Sequence, residues 1–336
     1  MSGGNTTANS EALHRREVYS GLILDELYEG FLPEGMARDV SDFPDGARLL
    51  IPTFGEVVIK EVVEDQETPV DAIDTGRIEL EITEHKGAGI YITDENREDG
   101  YYISQFDAAA PGKMLHGLKE VYETDLLTTG EIGQTQGDPN QINGFAHRWV
   151  ASGANGEVTP ADFAYAKTGF LKAKAPEMGL IAVVDPISEL SLNRLTNLVN
   201  VSDNPRFEGI IETGFGKSMT FIRNIFGVDV YMSNRLPRIE SETIDTTIND
   251  GVAAPEGANG IQAGAKTATD AYAMQFMVVA DDMTTPYMSA WRRHPDVTYY
   301  RDEPRRRDVY YVTTRYGFGM QRPQTLATCL VSATAY

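Results

Sequence analysis

The chain has 336 residues, with 50 Asp and Glu against 29 Lys and Arg and 41% hydrophobic side chains, enough apolar content for about two packed units and too much for a wholly disordered chain. No apolar run reaches the roughly 18 residues of a membrane span, no basic-then-apolar leader opens the sequence, and the single cysteine, Cys329, excludes an intrachain disulfide or a cysteine-rich zinc module. The net charge of −21 is uneven: residues 1–100 hold 23 acidic and 8 basic side chains, residues 285–336 hold 4 and 8, so a dedicated DNA reader is disfavoured while complementary ends suit contact between copies.

Residues 1–47 read as an extended arm with one helical turn around Tyr19 to Tyr28, a segment that needs another surface to lie on. From Arg48 the pattern is β. Ile78, Leu80 and Ile82 alternate with Glu79, Glu81 and Thr83, the period of a half-buried strand. Residues 56–63 (EVVIKEVV) are its expected partner, and residues 64–76, acidic and broken by Pro69, are the tip of a long hairpin that is marginal alone in water. Pro111 is placed to start a long amphipathic helix carrying Met114, Leu115, Leu118, Val121, Tyr122 and Leu126, and Gly130 to end it. Thr159-Pro160-Ala161-Asp162 is a capping-box-like start for a second helix to about Lys174. A buried strand at residues 180–184, a helix from Asp185-Pro186 through Leu192 and Leu195, a strand at 226–232 and a turn at 233–237 follow. Residues 246–270, rich in Gly, Ala, Thr and Asp, read as a loop. Strands return at 273–280, 309–314 and 327–331.

Chemistry-bearing motifs are sparse. Gly214-Phe215-Gly216-Lys217-Ser218 lacks the first glycine of a phosphate-binding loop, since that position is Ile211. His14, His85, His116, His147 and His294 are dispersed and form no HExxH pair. Asp281-Asp282 and the group Asp94, Glu95, Glu98 and Asp99 are the available paired carboxylates, with surface charge as the simpler reading. Neither a nucleophile elbow nor a catalytic-thiol signature surrounds a serine or Cys329, whose apolar neighbours predict burial. No cofactor and no metal are expected.

The order of elements, with IPTFGEVVIKEVVED and YITDENRED within 51–99, residues 227–237, and RYGFGMQRPQTLA at 315–327, resembles the major capsid proteins of tailed bacteriophages with the Hong Kong 97-type fold. The resemblance implies an α+β fold: an N-terminal arm at 1–47, an E-loop hairpin at 48–92, a first part of the peripheral (P) domain with its spine helix at 93–140, an axial (A) domain at 141–268, and a C-terminal part of the P domain at 269–336. It further implies hexamers and pentamers of an icosahedral head around double-stranded DNA, a portal, a separate scaffolding protein because no helical scaffolding segment precedes the arm, and room for a decoration protein. Lys60 and Lys86, the only hairpin lysines, leave cross-linking open.

Within that frame, the acidic hairpin residues Glu61, Glu64, Asp65, Glu67, Asp71 and Asp74 are expected to sit over Arg292, Arg293, Arg301, Arg305, Arg306 and Arg307 of a neighbouring copy, and residues 250–266 are expected near the capsomer axis. The alternatives are two solvated faces, or arginines turned to DNA. Two other functions compete with the capsid. One is an encapsulin-like nanocompartment shell around protein cargo; the other is a hydrolase using Asp94, Glu98 or Asp281.

Overall fold

The computed structural model describes residues 35–41, 48–55, 61, 75–100, 103–194, 221–249, 252–253, 261 and 264–334. In chain order these form β1 (Ala37–Asp39), β2 (Arg48–Phe54), β3 (Thr75–Glu81), β4 (Glu84–Thr93), α1 (Asp94–Asp99), α2 (Ile103–Ile132), β5 (Gln141–Ile142), β6 (Phe145–Ala146), β7 (Arg148–Val150), α3 (Pro160–Lys172) and β8 (Leu180–Val184). There follow α4 (Pro186–Arg194), β9 (Phe221–Ile225), β10 (Val228–Met232), β11 (Arg238–Asp245), β12 (Ile248–Asn249), β13 (Val252–Ala253), β14 (Ala265–Val278), β15 (Tyr287–Asp302), β16 (Arg307–Met320) and β17 (Leu326–Ser332). The arm before residue 35, the 56–60 and 62–74 stretches of the hairpin, the Gly214–Ser218 motif and most of the 250–266 loop lie outside the described residues.

Two sheets carry the chain. A four-stranded sheet runs β1-β15-β16-β4, and a seven-stranded sheet runs β7-β17-β14-β8-β10-β9 with β11 added along β14. The division drawn between 268 and 269 falls inside β14, and β14 and β17 belong to the larger sheet while β15 and β16 belong to the smaller.

Helix α2 joins the two. At 30 residues it spans about 45 Å at 1.5 Å per residue. Its first half lays Met114 and Leu118 on Val312, Ile90 and Val297 of the small sheet; its second half lays Leu126 and Leu127 on Val183, Met277 and Leu326 of the large one. Each such fully buried side chain contributes roughly 1.5–3 kcal/mol. Midway, Tyr122 stacks on Trp291 with ring centroids 4.7 Å apart and meets Tyr316 edge-on at 5.2 Å.

The helix corrects the sequence reading at both ends. It begins eight residues before Pro111, which lies inside it. Proline there deprives the Asp107 carbonyl of its helical donor, and the early turns are held from outside by Arg97 on the Asp107 carboxylate at 3.2 Å and Tyr310 at 3.3 Å. Gly130 does not stop the helix. A Cβ at that position would lie 2.0 Å from the Tyr287 hydroxyl, which donates to Gln275 at 2.6 Å, so glycine is there to let the large sheet close on the helix. Val121, assigned to the apolar face, is 37% exposed.

Other expectations meet mixed outcomes. The partner of the 78–83 strand is β2, with Ile51 opposite Ile78, rather than residues 56–63. Phe226 and Gly227 form the turn of the β9–β10 hairpin instead of opening a strand, and Phe226 takes a left-handed φ of 52°. The run 265–270 belongs to β14, where it pairs with β11. The whole of β15 was unforeseen, because its arginines, histidine and proline break the apolar alternation and its ladder is irregular between Trp291 and Asp296. The second helix does start at Thr159, whose backbone N–H donates to the Asp162 carboxylate at 2.8 Å, and Cys329 is buried.

Buried polar groups lock the end of α2. Arg148 on β7 is fully buried and forks onto Glu242 of β11 at 2.8 and 2.6 Å, while its second terminal nitrogen also reaches Glu131 of α2 at 3.0 Å. Replacing Arg148 by Met leaves two buried carboxylates without their cation and should cost about 3–5 kcal/mol in urea unfolding, with much of the loss recovered when Glu131 and Glu242 are made apolar as well. His147, next in line, places Nδ1 3.1 Å from the Phe145 carbonyl. Burial pulls its pKa from 6.5 down to about 4, so it is neutral in the folded chain. The unfolded chain takes up that proton first, so this contribution is complete above pH 6.5 and is lost as pH falls to about 4. The loss is about 3 kcal/mol, read as the difference in the pH dependence of unfolding between the wild-type protein and His147→Gln.

Candidate assembly surface

The hairpin base is the first element of the surface. Its strands pair from Arg48 opposite Glu81 to Phe54 opposite Thr75, and Arg48 bridges Glu79 at 2.7 Å. Leu80 and Ile82 pack on Met288 and Ala290, which anchors the near end of the ribbon. Farther out, Leu50 and Phe54 are 51% and 77% exposed. Of the predicted hairpin acids, Glu61 is described and exposed; Glu64, Asp65, Glu67, Asp71 and Asp74 lie outside the described residues.

The predicted arginines fall into two groups. Arg301 grips the Asp94 carboxylate with both terminal nitrogens, at 2.5 and 2.7 Å, and reaches Asp308 at 3.1 Å. Asp308, almost wholly buried, also receives Arg97 at 2.9 Å and the Tyr299 hydroxyl at 2.9 Å. Hydrogen bonds from Arg301 hold the Asp94 carboxyl below its ordinary range. Burial pushes Asp308 up, yet the Tyr299 and Arg301 hydrogen bonds and the Arg97 charge outweigh it and hold the group low. Arg307 pairs with Asp302 at 2.9 Å and lies over the Tyr91 ring at 4.9 Å. These two arginines are therefore engaged within their own chain. Arg305 is 70% exposed, with Asp302 at 3.7 Å, and Arg306 is an exposed turn residue with φ 46° whose carbonyl accepts from the Asp94 N–H at 3.1 Å. Arg293 is exposed and donates to the Thr313 hydroxyl at 3.0 Å; Arg292 is half-buried.

Register adds residues that the sequence reading missed. β15, β16 and β4 place Arg293 opposite Arg315, and Arg315 opposite His85, all three exposed on the sheet face turned away from α2. The same face carries Thr298, Tyr311 and Gly89 in one row and Tyr300, Val309 and Tyr91 in another. Tyr300 meets Tyr311 edge-on at 5.7 Å. The alternation in RDVYYVTTRY was the available signal for this face, but without β15 it had no cross-strand partners.

Catalytic and metal roles find little support in this geometry. Asp94 is held by Arg301, and Asp281 caps a tight turn by accepting from the Met283 and Thr284 N–H groups at 2.9 and 2.8 Å. Among the described residues no group of three or more His, Cys, Asp or Glu is placed to hold a metal ion, and no helix is long and apolar enough to cross a membrane.

Comparison with known proteins agrees with the geometry. A family model described as phage capsid protein matches residues 78–329. No curated protein matches the chain. Among solved structures, the capsid of the cyanophage P-SCSP1u aligns with a TM-score of 0.66 at 15% identity, covering 97% of this chain and 95% of that one. The mature capsid of bacteriophage PhiM1 aligns at 0.61 and 14% identity, covering 98% and 99%, and the capsid of Ralstonia phage GP4 at 0.60 and 10%, covering 99% of each. These likenesses establish the Hong Kong 97-like fold, and the family match does not favour the nanocompartment alternative. The chain belongs to the phage capsid protein family, as a structural, self-associating component of the virion capsid and not an enzyme.

Proposed function

We propose that this major capsid protein closes the icosahedral head of a tailed phage as hexamers and pentamers around double-stranded DNA. The observation that carries the reading is the β2–β3 ribbon, packed at its base through Leu80 and Ile82 while Leu50 and Phe54 face outward. A two-stranded ribbon gains little alone in water, and a neighbouring subunit supplies the missing layer. In this reading residues 1–47 are the arm, 48–92 the E-loop, 93–140 and 269–336 the P domain, and 141–268 the A domain, with residues 250–266 near the capsomer axis. A separate scaffolding protein, a portal and a decoration protein are further partners, and DNA is held without sequence specificity.

The acidic segment from Glu61 to Asp74 supplies the charge that meets arginines of the next copy. Arg293, Arg305 and Arg306 have the most exposed charge to offer, since Arg301 and Arg307 are paired at home. One exposed pair contributes only about 0–1 kcal/mol. Repetition at every contact makes the sum decisive through multivalency. The test is deletion of residues 64–76 from the full chain. Its α/β core should melt near the wild-type temperature, while negative-stain microscopy should find no closed shells; shells of normal yield would refute the assembly role of the hairpin.

A further inference from the structure

Where α2 ends, the 133–140 loop, β5, His147 and Pro323 line a cleft of about 300 Å³, at the lower end of small-molecule sites. The side-chain amides on its wall are all turned the same way by the fold. Gln134 Nε2 donates to the His147 and Leu326 carbonyls at 3.2 and 3.3 Å, Gln141 Nε2 donates to the Thr246 carbonyl, and Asn140 Nδ2 donates to the Thr135 and Asp138 carbonyls at 3.1 and 2.9 Å. Their donors are therefore spent on the chain itself, while Gln134 Oε1 and Gln141 Oε1 receive no hydrogen bond from the described residues. His147 repeats the pattern. Its Nδ1 lies 3.1 Å from the Phe145 carbonyl, which can only accept, so the proton of the neutral ring sits on Nδ1 and Nε2 is left as an acceptor without a partner among the described residues. The Gln324 carbonyl beside the ring adds a further acceptor. Gln134 and His147 are 5% and 1% exposed, and a polar atom left unmet at that depth carries its full desolvation penalty.

Charge points the same way. Asp138, 9% exposed and accepting from the Asn140 N–H at 2.7 Å, is the one carboxylate of the wall, and no lysine or arginine lines it. Arg148, the nearest residue in sequence with a positive charge, is outnumbered by Glu131 and Glu242. Gly133 follows the last residue of α2, so the cleft also borders the partially negative end of the helix. A divalent metal ion calls for several carboxylates, and the wall has one. Ile142 and Pro323 add an apolar strip that neither an inorganic ion nor water would use. One carboxylate, several neutral acceptors and an apolar strip match a single positive group with three N–H donors and no acceptor, carried on methylenes.

We propose that this cleft binds a primary alkylammonium group, with Gln134 Oε1, Gln141 Oε1 and His147 Nε2 as its hydrogen-bond acceptors, Asp138 as its counter-charge, and Ile142 and Pro323 against its methylenes. A free aliphatic polyamine and the lysine side chain of a partner both supply that group. The site lies within one chain and stands independently of the assembly reading.

The experiment is calorimetric titration of the full-length, unassembled chain with butane-1,4-diamine, with butane-1,4-diol as the neutral isostere. The diamine should bind saturably with one site per chain, and the diol should not bind. Asp138→Asn, which keeps an acceptor for the Asn140 N–H, and Gln141→Leu should each weaken binding about tenfold or more at an unchanged melting temperature of the free chain. If either variant melts low, the contrast between diamine and diol on the wild-type chain still decides. Absence of saturable diamine binding at millimolar concentration would overturn the proposal and leave the cleft to water. Equal binding by the wild type and both variants would overturn it as well, since a chain of net charge −21 attracts diamines without a site. Displacement of the diamine by equimolar magnesium would overturn it in favour of an inorganic cation. Nα-acetyl-lysine amide binding as tightly as the diamine would support it with a protein lysine as the source, and binding of the diamine alone would support it with a free polyamine.

Discussion

One buried guanidinium holds the architecture together. Arg148 sits where β7, β11 and the end of α2 converge, and it is the only strand-borne cation among the described residues that is fully buried. Two carboxylates share it, and Glu242 also accepts from the Gly137 N–H at 2.7 Å while Gln136 donates to Glu131 at 2.9 Å. Desolvating such a group is expensive unless every contact is well made, so the triad fixes geometry more than it adds stability. The geometry it fixes is the exit of the long helix into the large sheet. That junction lets one helix serve two cores.

The remaining polar contacts of α2 follow the same plan. Glu123 accepts from Ser233 at 2.7 Å and from Arg235 at 3.2 Å, Glu120 accepts from Arg235 at 3.0 Å, and Asp125 accepts the Tyr316 hydroxyl at 2.7 Å. The helix is therefore tied on one side to the turn after β10 and on the other to the middle of β16. A spine clamped in this way behaves as a rigid strut.

A capsid subunit must fold alone and yet remain incomplete. The body buries Trp149, Phe163, Phe276 and Leu192 completely. Exposed apolar surface among the described residues includes the ribbon, where Phe54 is 77% exposed, and the open face of the small sheet, where Tyr91 and Tyr300 are 60% and 45% exposed. Arg301, Asp94, Asp308 and Arg97 brace the far end of that sheet internally, which stiffens the platform without spending the charges at its other end. Many weak, repeated contacts on a stiff platform can be corrected during assembly and still hold a closed shell.

By itself the sequence determined the elements whose signal is local. Strict alternation at Ile78, Leu80 and Ile82, the Thr159–Asp162 cap, the apolar run ending at Val184 and the i, i+4 face of Met114 and Leu118 are each set by neighbouring residues, and together with the order of motifs they were enough for the fold and the family. Only the tertiary structure decided what depends on distant partners. Pro111 sits inside a helix because Arg97 and Tyr310 hold its first turns, Gly130 serves Tyr287 across the fold instead of ending the helix, and Arg301 and Arg307 spend their charge on Asp94, Asp308 and Asp302. The Arg293–Arg315–His85 row exists only through strand register, since 22 residues separate the first two and their alignment across β15 and β16 is a property of pairing that no local pattern encodes.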